Sequence, residues 1–348
     1  MSTFIPFSTD DRVESIDRVF SSAWSGNTNS LTIAYTSSTQ ASYNTPSSSA
    51  QFYLEIYHED PTSTSDVQYT ISYGHQDGSG SQNFDNNTGG NGFSATRAIY
   101  SQYRNLVFGG DETQKFTFDG HEPKGIYILN INRARYKQSL RVGNISLSIS
   151  SSGGLLELTD DSVTSTGSAT LRAGVGREFT LVSGSNGVRL GSNNVFVTDS
   201  GSYGKIYPDA GFIVLNADCL NHSASGQNYG GIDLGTDNTS NYNSQNNRIL
   251  RNAINLGGEF ILDSQENIAS RYYFVRAKNN QFNYTTNDSF TDNDGVLKFD
   301  SMIDNPQTYI TTVGLYNDNL DLLAVAKLSQ PLPKNFTKEA LIKVKLDY

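Results

Sequence analysis

The chain has 348 residues, only 17% of them are charged, and its formal net charge at pH 7 is −10. An acidic chain is not attracted to phosphate backbones, which disfavours direct nucleic-acid binding. The single cysteine, Cys219, excludes an intrachain disulfide, and no apolar run approaches the roughly 20 residues of a membrane span.

The residue composition indicates the fold class. The chain contains 20 Tyr and 18 Phe besides many Val, Ile and Thr, which favour strands, and its 31 Gly favour turns. We therefore predict a mainly β protein, built from β-sandwich or meander domains, with two short α-helices.

The first helix is predicted at residues 7–24, FSTDDRVESIDRVFSSAW. Ser8 or Thr9 can cap its N-terminus, and two aspartates follow in the first turn, where they suit the helix dipole. Its apolar residues fall on one face at spacings of three and four: Val13, Ile16, Phe20 and Trp24. Residues 1–50 are accordingly expected to form this helix and an extended arm.

Strands are predicted over most of the remaining chain. The segments that alternate or run apolar between turn residues are 51–57, 67–74, 115–120, 125–137, 144–150 and 155–160. These segments define an expected β domain at 51–160. A composition change at 160–168 then marks a boundary, and 161–200 is expected to be a meander of short strands or a linker.

The segment 201–348 is expected to be a C-terminal β-rich domain with one helix. Residues 203–216 predict a hairpin with its bend at Pro208 to Gly211. The second helix is predicted at 243–258, where Gly257 and Gly258 follow a periodic apolar face. The later strands are predicted at 271–284, 296–300, 308–328 and 340–348.

Residues 308–329, TYITTVGLYNDNLDLLAVAKLS, form the most regular stretch of the chain. Tyr309 to Tyr316 predicts one strand, Asn317 to Asp321 a polar turn, and Leu322 to Leu328 the return strand. Pro331 and Pro333 are expected to end the pairing, because proline cannot donate to the ladder. The return strand is apolar on both faces. We therefore expect it to be buried, either in the chain's own core or against a neighbouring subunit.

Patterns that would indicate catalysis or metal binding are weak. The four histidines lack metal-site spacing, and Cys219 is expected to be a small apolar thiol at the end of a strand. The basic stretch 132–137 is expected on the outer face of a strand. The segment 291–300, TDNDGVLKFD, fails an EF-hand alignment at its first and last ligand positions and predicts a hairpin turn instead. We predict no enzyme activity, no cofactor and no metal site.

Several segments taken together carry a family likeness. They include FYLEIYHED, VQYTISYGHQDGSGS, SATRAIYSQYRNLVF, GIYILNINRARYKQSL, YYFVRAKNNQFNYTTNDSF and the stretch from residue 308 to the C-terminus. From about residue 51 onward the chain resembles virion structural proteins of T4-like tailed phages, chiefly those infecting marine cyanobacteria. The pattern at 310–328 resembles a hairpin of phage tail and baseplate-associated proteins. The resemblance implies assembly into symmetric rings, trimers or hexamers around a tail axis.

The leading hypothesis is a structural component of a contractile-tailed phage virion, in the baseplate or the neck and tail region. Its N-terminus lacks a secretory signal, so synthesis in the host cytoplasm is expected. The expected partners are copies of itself, other virion proteins, and fibre or sheath proteins, with no nucleic acid and no membrane. The predicted interface residues are Tyr309, Leu315, Tyr316, Asn317, Asp318, Leu322, Leu323, Tyr272 and Tyr273.

Two alternatives remain open. The first is a receptor-binding adhesin that grips host-surface glycan with loops 75–92 and 235–247. The second is a glycan-degrading, tailspike-like enzyme. An adhesin should present clustered aromatic residues in a concave site, whereas an assembly protein should expose broad apolar faces.

Overall fold

The computed structural model describes residues 4–36, 53–60, 62, 65–80, 95–163, 169–189, 196–197, 200–222, 231–236, 245–284 and 289–347. The chain divides into two compact units. We call Val19–Glu266 the central unit, and Met1–Arg18 together with Asn267–Tyr348 the terminal unit. The fold is mainly β with two longer helices, which confirms the predicted class.

The strands are, in chain order, β1 Arg12–Ser22, β2 Leu54–Tyr57, β3 Val67–His75, β4 Gly125–Ile131, β5 Ser139–Leu140, β6 Ser146–Ser151, β7 Gly154–Asp160, β8 Thr170–Arg172, β9 Gly176–Ser185, β10 Val188–Arg189, β11 Phe196–Val197, β12 Gly201–Ser202, β13 Gly204–Tyr207, β14 Phe212–Asn216, β15 Phe260–Ile261, β16 Asp263–Ala277, β17 Thr308–Tyr316, β18 Leu322–Lys334 and β19 Ala340–Asp347. The α-helices are α1 Ala95–Phe108, α2 Ala217–Asn221, α3 Gln245–Gly257 and α4 Ser301–Asp304. Short 3-10 turns span Thr9–Asp11, Ser25–Asn27 and Arg133–Arg135.

The central unit is organised around one antiparallel sheet, ordered β15–β6–β7–β9–β13–β14–β4–β3–β2, with β8 and β10 also paired to β9. Both faces of its middle strands are buried. On β4, Tyr127 and Leu129 enter one apolar cluster, while Ile126 and Ile128 enter another. Since successive side chains of a strand point to opposite faces, the sheet must lie between two apolar layers.

Helices supply these two layers. The buried side chains of Leu250, Ala253 and Ile254 place α3 in the first cluster. Ile99 and Tyr100 place α1 in the second, together with phenylalanines and a tyrosine from outside the helix: Phe116, Phe118, Tyr207 and Phe212. The prediction of a helix at 243–258 is therefore confirmed, whereas α1 was not predicted.

The helix predicted at 7–24 is wrong. Ser8 does stabilise a turn, since its backbone N–H and its hydroxyl both donate to Asp11 Oδ2, at 2.9 and 2.7 Å. That turn is a single 3-10 turn, and the chain then continues as β1, which lies beside β16. Helix periodicity is a weak signal when β-branched residues such as Val13 and Ile16 suit a strand and a neighbouring strand is available to pair.

Other predicted boundaries differ from the structure. Segment 115–120 is not a strand but an isolated bridge between Phe118 and His121, and 296–300 contains no strand. Segment 125–137 leaves the sheet at Ile131, so Arg133 and Arg135 lie on a 3-10 turn rather than on a strand face. The suggested boundary at 160–168 separates β7 from β9 in the chain, yet these two strands pair in the same sheet.

Several predicted strands and turns are confirmed. The hairpin at 203–216 forms as β13 and β14, and the strand predicted at 340–348 forms as β19 over Ala340–Asp347. Segment 271–284 is a strand only as far as Ala277. At 291–300 the chain turns, since Thr291 bridges Leu297 and the Asp292 carboxylate accepts from the N–H groups of Asp294 and Val296.

The terminal unit contains the hairpin β17–β18, strand β19 and most of β1 and β16, in the strand order β1–β16–β19. Its core has a buried centre formed by Val313 and Leu315 from the hairpin and Ile342 and Val344 from β19. Partly buried apolar residues surround this centre: Tyr273, Val275, Ile310, Ala324, Ala326, Leu328, Leu332 and Leu346. The hairpin therefore packs one face on the sheet, as two-layer β packing requires.

Candidate functional site

The inner face of the β17–β18 hairpin belongs to the core of the terminal unit. Val313 is opposite Ala326 and Leu315 is opposite Ala324 in the antiparallel register. Val313 and Leu315 are 8% and 6% exposed. Their small alanine partners leave room for the larger side chains to pack between the two layers.

The outer face of the hairpin is apolar and exposed. Leu322, Leu323 and Val325 are 52%, 68% and 58% exposed, and Tyr316 is 42% exposed. Gly314 lies among them, opposite Val325. We call these five residues the hairpin face.

Gly314 gives the hairpin face its close packing. A Cβ atom at this position would lie 2.9 Å from Tyr316 Cε2 and 3.2 Å from Leu322 Cδ1. The Tyr316 ring also packs edge-on against Phe4, with ring centroids 4.9 Å apart. The absence of a side chain at Gly314 therefore lets the tyrosine and leucine side chains close into one surface.

Hydrogen bonds within the hairpin tip fix its shape. Asn317 Nδ2 donates to Asp321 Oδ2 at 3.0 Å, and the Asp321 N–H donates to Asn317 Oδ1 at 2.8 Å. Leu320 adopts a φ of 66°, a left-handed conformation that is uncommon for a residue with a branched side chain. Asn317 thus holds the turn together, while Asp318 and Leu320 are exposed at its tip.

The prediction that the prolines end the pairing is wrong. Strand β18 continues to Lys334, and Pro333 pairs opposite Tyr309. A register shift between Ile310 and Thr312 leaves Pro331 in an irregular segment of the strand. Proline is tolerated at such an irregularity and on an edge strand, and in the described part of the chain β18 pairs only with β17.

A fully buried lysine anchors the far end of the hairpin. The Lys334 ammonium donates to the carbonyl oxygens of Asn279 and Asn335 and to Asn283 Oδ1, each at 2.9 Å. Burial lowers the pKa of Lys334 from its ordinary value. The three acceptors compensate the ammonium for lost hydration, and they tie the end of β18 to the loop after β16.

The outer face of the β16–β19 pair carries aromatic and basic side chains in register. Tyr272 is opposite Lys345 and Phe274 is opposite Lys343, and the Lys343 ammonium lies 4.0 Å from the centroid of the Tyr272 ring. Hydrogen bonds from Ser270, and then from Lys345, lower the pKa of Asp347. This face therefore satisfies its charges internally by cation–π and ion-pair contacts.

The structure distributes the predicted interface residues over several surfaces. Tyr316, Leu322 and Leu323 lie together on the hairpin face. Tyr309 lies at the opposite end of the hairpin and is 60% exposed. Asn317 and Asp318 lie at the tip. Leu315 is buried inside the terminal unit. Tyr272 belongs to the aromatic and basic face of the sheet, and Tyr273 packs inward against Phe7, with ring centroids 5.4 Å apart.

The expectation that the return strand is buried holds for one of its two faces. Ala324 and Ala326 pack inward, but Leu323 and Val325 point away from the core of their own unit. The alternative of burial in the chain's own core is therefore wrong for these two residues. Burial against a neighbouring subunit stays a prediction.

Groups with catalytic potential lie in the central unit and are mostly engaged in structure. Cys219 is fully buried in the short helix α2 rather than at a strand end. His121 Nε2 pairs with Asp218 Oδ2 at 3.0 Å. Across the described ranges, no group of three or more His, Cys, Asp or Glu side chains is arranged to hold a metal ion. Among those same residues, no helix has the length and apolar character needed to cross a membrane.

In the two loops of the adhesin alternative, residues 81–92 and 237–244 lie outside the described ranges. No family model, no curated protein and no solved structure matches this chain.

Proposed function

We propose that this protein is a non-enzymatic structural component of a contractile-tailed phage particle, in the baseplate or the neck and tail region. In this proposal the hairpin face packs against a second copy of the chain within a closed symmetric assembly, and neighbouring fibre or sheath proteins dock on that assembly. The observation that carries the proposal is the hairpin face itself, in which Leu322, Leu323 and Val325 are each more than half exposed.

A continuous apolar face is characteristic of interaction surfaces rather than of free protein surface. The aliphatic side chains adjoin Tyr316, and tyrosine is enriched at interfaces because its ring is apolar and its hydroxyl forms hydrogen bonds. The nearest charges along the hairpin are Asp321 before Leu322 and Lys327 two residues after Val325. Burying the hairpin face therefore requires little desolvation of charge.

A second copy fits this surface for two reasons. Within the described part of the chain, the outer edge of β18 has no strand beside it, so its backbone groups can pair with an equivalent edge. An apolar surface also complements a copy of itself, as the isologous contacts of symmetric oligomers require. The phage context comes from the resemblance of the quoted segments and from the low charge content of the chain.

The association is tested with a double variant, Leu323→Ser with Val325→Ser, in the full chain. Sedimentation across a concentration series should show wild-type oligomers and a dissociation constant raised at least about tenfold in the variant, because each buried side chain contributes about 1–2 kcal/mol. Leu171→Ser is the matched control, since Leu171 is 77% exposed but lies in β8 of the central unit. A wild-type chain that remains monomeric at high concentration would refute self-association through this face.

The phage assignment needs a separate measurement. Mass spectrometry of purified particles should find the chain at a copy number that is a small multiple of the tail symmetry. Its absence from such particles would refute the virion role while leaving the hairpin result standing.

A further inference from the structure

A groove of about 770 Å³ opens on one face of the central unit. Its floor is the end of the large sheet formed by β2, β3 and β4. Helix α1 forms one wall through Ile99, Gln102 and Tyr103, and the 3-10 turn Arg133–Arg135 with Tyr136 forms the other. Its volume lies within the range of ligand sites, which is roughly 300–1,000 Å³.

Polar side chains replace apolar ones on this part of the sheet. Glu55, Thr70 and Asn130 form one row across three neighbouring strands, because Glu55 is opposite Thr70 and Thr70 is opposite Asn130. Ser72 lies on the same face of β3 as Thr70, two residues further along, and it also lines the groove. The neighbouring part of this face is the apolar cluster beneath α1, so the change from apolar to polar residues coincides with the groove.

Three of these polar side chains have no hydrogen-bond partner among the described residues. Within the described residues, the hydroxyls of Thr70 and Ser72 and the amide of Asn130 form no side-chain hydrogen bond, although Ser72 is only 5% exposed. Their polar atoms therefore remain available to hydrogen-bond a ligand in the groove. Each hydroxyl both donates and accepts, and the amide offers two donors and one acceptor oxygen, so the floor matches a ligand that also carries both kinds of group.

Tyrosines surround this polar floor. Tyr53 lies at the rim and is 49% exposed, which leaves its ring free to contact a ligand. Tyr136 is held in place, since its hydroxyl donates to the Ala210 carbonyl at 3.2 Å and the Arg133 guanidinium lies 4.7 Å from its ring centroid. Tyr103 packs edge-on against Phe212, with centroids 5.3 Å apart. The walls are therefore supported by the core and present apolar ring surface next to hydrogen-bonding groups.

The charges lining the groove balance. Glu55 is its only carboxylate and Arg133 its only cation among the described lining residues. One Glu55 oxygen accepts from the Tyr57 hydroxyl at 2.8 Å, and Arg133 donates to the Tyr136 carbonyl at 2.6 Å. With both charged groups engaged and no net charge, the groove does not favour an ionic ligand.

We propose that this groove binds a neutral oligosaccharide. A sugar ring has an apolar face that stacks on the exposed Tyr53 ring, and it carries hydroxyls that donate to and accept from Ser72, Thr70 and Asn130. The inference goes beyond the assembly role, because it concerns a different surface and does not depend on the hairpin face. Sequence reasoning did not single out Thr70 or Asn130, because their alignment in one row depends on strand register.

Saturation-transfer NMR of the full chain tests the proposal with neutral oligosaccharides built from glucose, galactose, mannose and N-acetylglucosamine. A sialylated oligosaccharide and a neutral peptide serve as chemically distinct probes. At least one neutral oligosaccharide should bind, and its affinity should fall about tenfold in Tyr53→Ala, in keeping with the contribution of one aromatic contact. Asn130→Leu should cause a similar or larger loss, because it removes hydrogen bonds and fills the groove.

Tyr284→Ala is the matched control, since Tyr284 is 59% exposed in the terminal unit. It should bind the oligosaccharide as the wild type does. The fluorescence of Trp24, the only tryptophan, reports whether each variant is folded. If Asn130→Leu does not fold, Tyr53→Ala decides the question alone, because half of its side chain is already in solvent. The proposal is overturned if no neutral oligosaccharide binds, if only the sialylated or peptide probe binds, or if Tyr53→Ala binds the oligosaccharide with wild-type affinity.

Discussion

We predict that truncating two leucines of the same hairpin has different effects on stability, large for Leu315 and small for Leu323. Leu315 is 6% exposed in the core of the terminal unit, whereas Leu323 is 68% exposed on the hairpin face. Replacing a buried leucine by alanine costs about 2–5 kcal/mol, because transfer free energy is lost and a cavity forms. Only about a third of the Leu323 side chain is buried, so at about 0.8 kcal/mol per methylene its truncation costs less than about 1 kcal/mol in the monomer.

Amide hydrogen exchange at low protein concentration measures this difference. Leu315→Ala should raise exchange rates throughout β17 and β18 by about 30-fold or more, as 2 kcal/mol or more of local stability is lost. Leu323→Ala should leave them within about fivefold of the wild type under the same conditions. At high protein concentration, where the chain is expected to self-associate, Leu323→Ala should weaken association more than Leu315→Ala does. Equal destabilisation of the dilute protein by both variants would refute the assignment of inner and outer hairpin faces.

Two further predictions concern buried charges. In the central unit, Glu178 pairs with Arg172 and Lys205, each at 2.8 Å. Burial raises the pKa of Glu178, but these two partners more than offset it and lower the pKa below its ordinary value of 4.5. The contribution of the ionised Glu178 carboxylate to the free energy of unfolding is therefore fully present above pH 4.5, and it is lost as the pH falls through the lowered pKa. Urea unfolding followed by Trp24 fluorescence should accordingly show the stability decreasing below pH 4.5. Glu178→Gln should cost about 3 kcal/mol at pH 7 and flatten this decrease, and an unchanged pH profile would contradict the prediction. In the terminal unit, Lys334→Met leaves three oxygen acceptors unpaired and should cost about 2 kcal/mol, measured by exchange of the β18 amides, whereas the exposed Lys327→Met on the same strand should cost less than about 0.5 kcal/mol.

Local patterns in the sequence correctly predicted elements that pack against a single neighbouring surface. Helix α3 was predictable because Leu250, Ala253 and Ile254 recur at helical spacing and Gly258 ends the helix with a φ of 73°. The β13–β14 hairpin was predictable because a proline and a glycine separate two apolar runs. In both cases the local preference and the tertiary environment favour the same conformation.

Elements whose conformation depends on distant partners were mispredicted or missed. Residues 12–22 show apolar spacings of three and four, yet they form a strand because β16 lies beside them with free backbone groups. Residues 95–108 contain Ile, Tyr, Val and Phe, which also suit strands, and they form α1 because the second face of the sheet needs a covering layer. Propensity is worth only tenths of a kcal/mol per residue, so burial of a whole face overrides it.

The sequence alone established that this chain forms no intrachain disulfide, that its fold is mainly β and that residues 308–329 contain a hairpin. It did not determine which side of that hairpin faces the core, because Leu322 to Ala326 are apolar at every position and alternation carries no signal there. The tertiary structure decided this by placing Ala324 and Ala326 opposite Leu315 and Val313, which leaves Leu323 and Val325 outside. The polar row at the base of the groove likewise exists only through strand register, since Glu55, Thr70 and Asn130 are distant in the chain and become neighbours when β2, β3 and β4 pair.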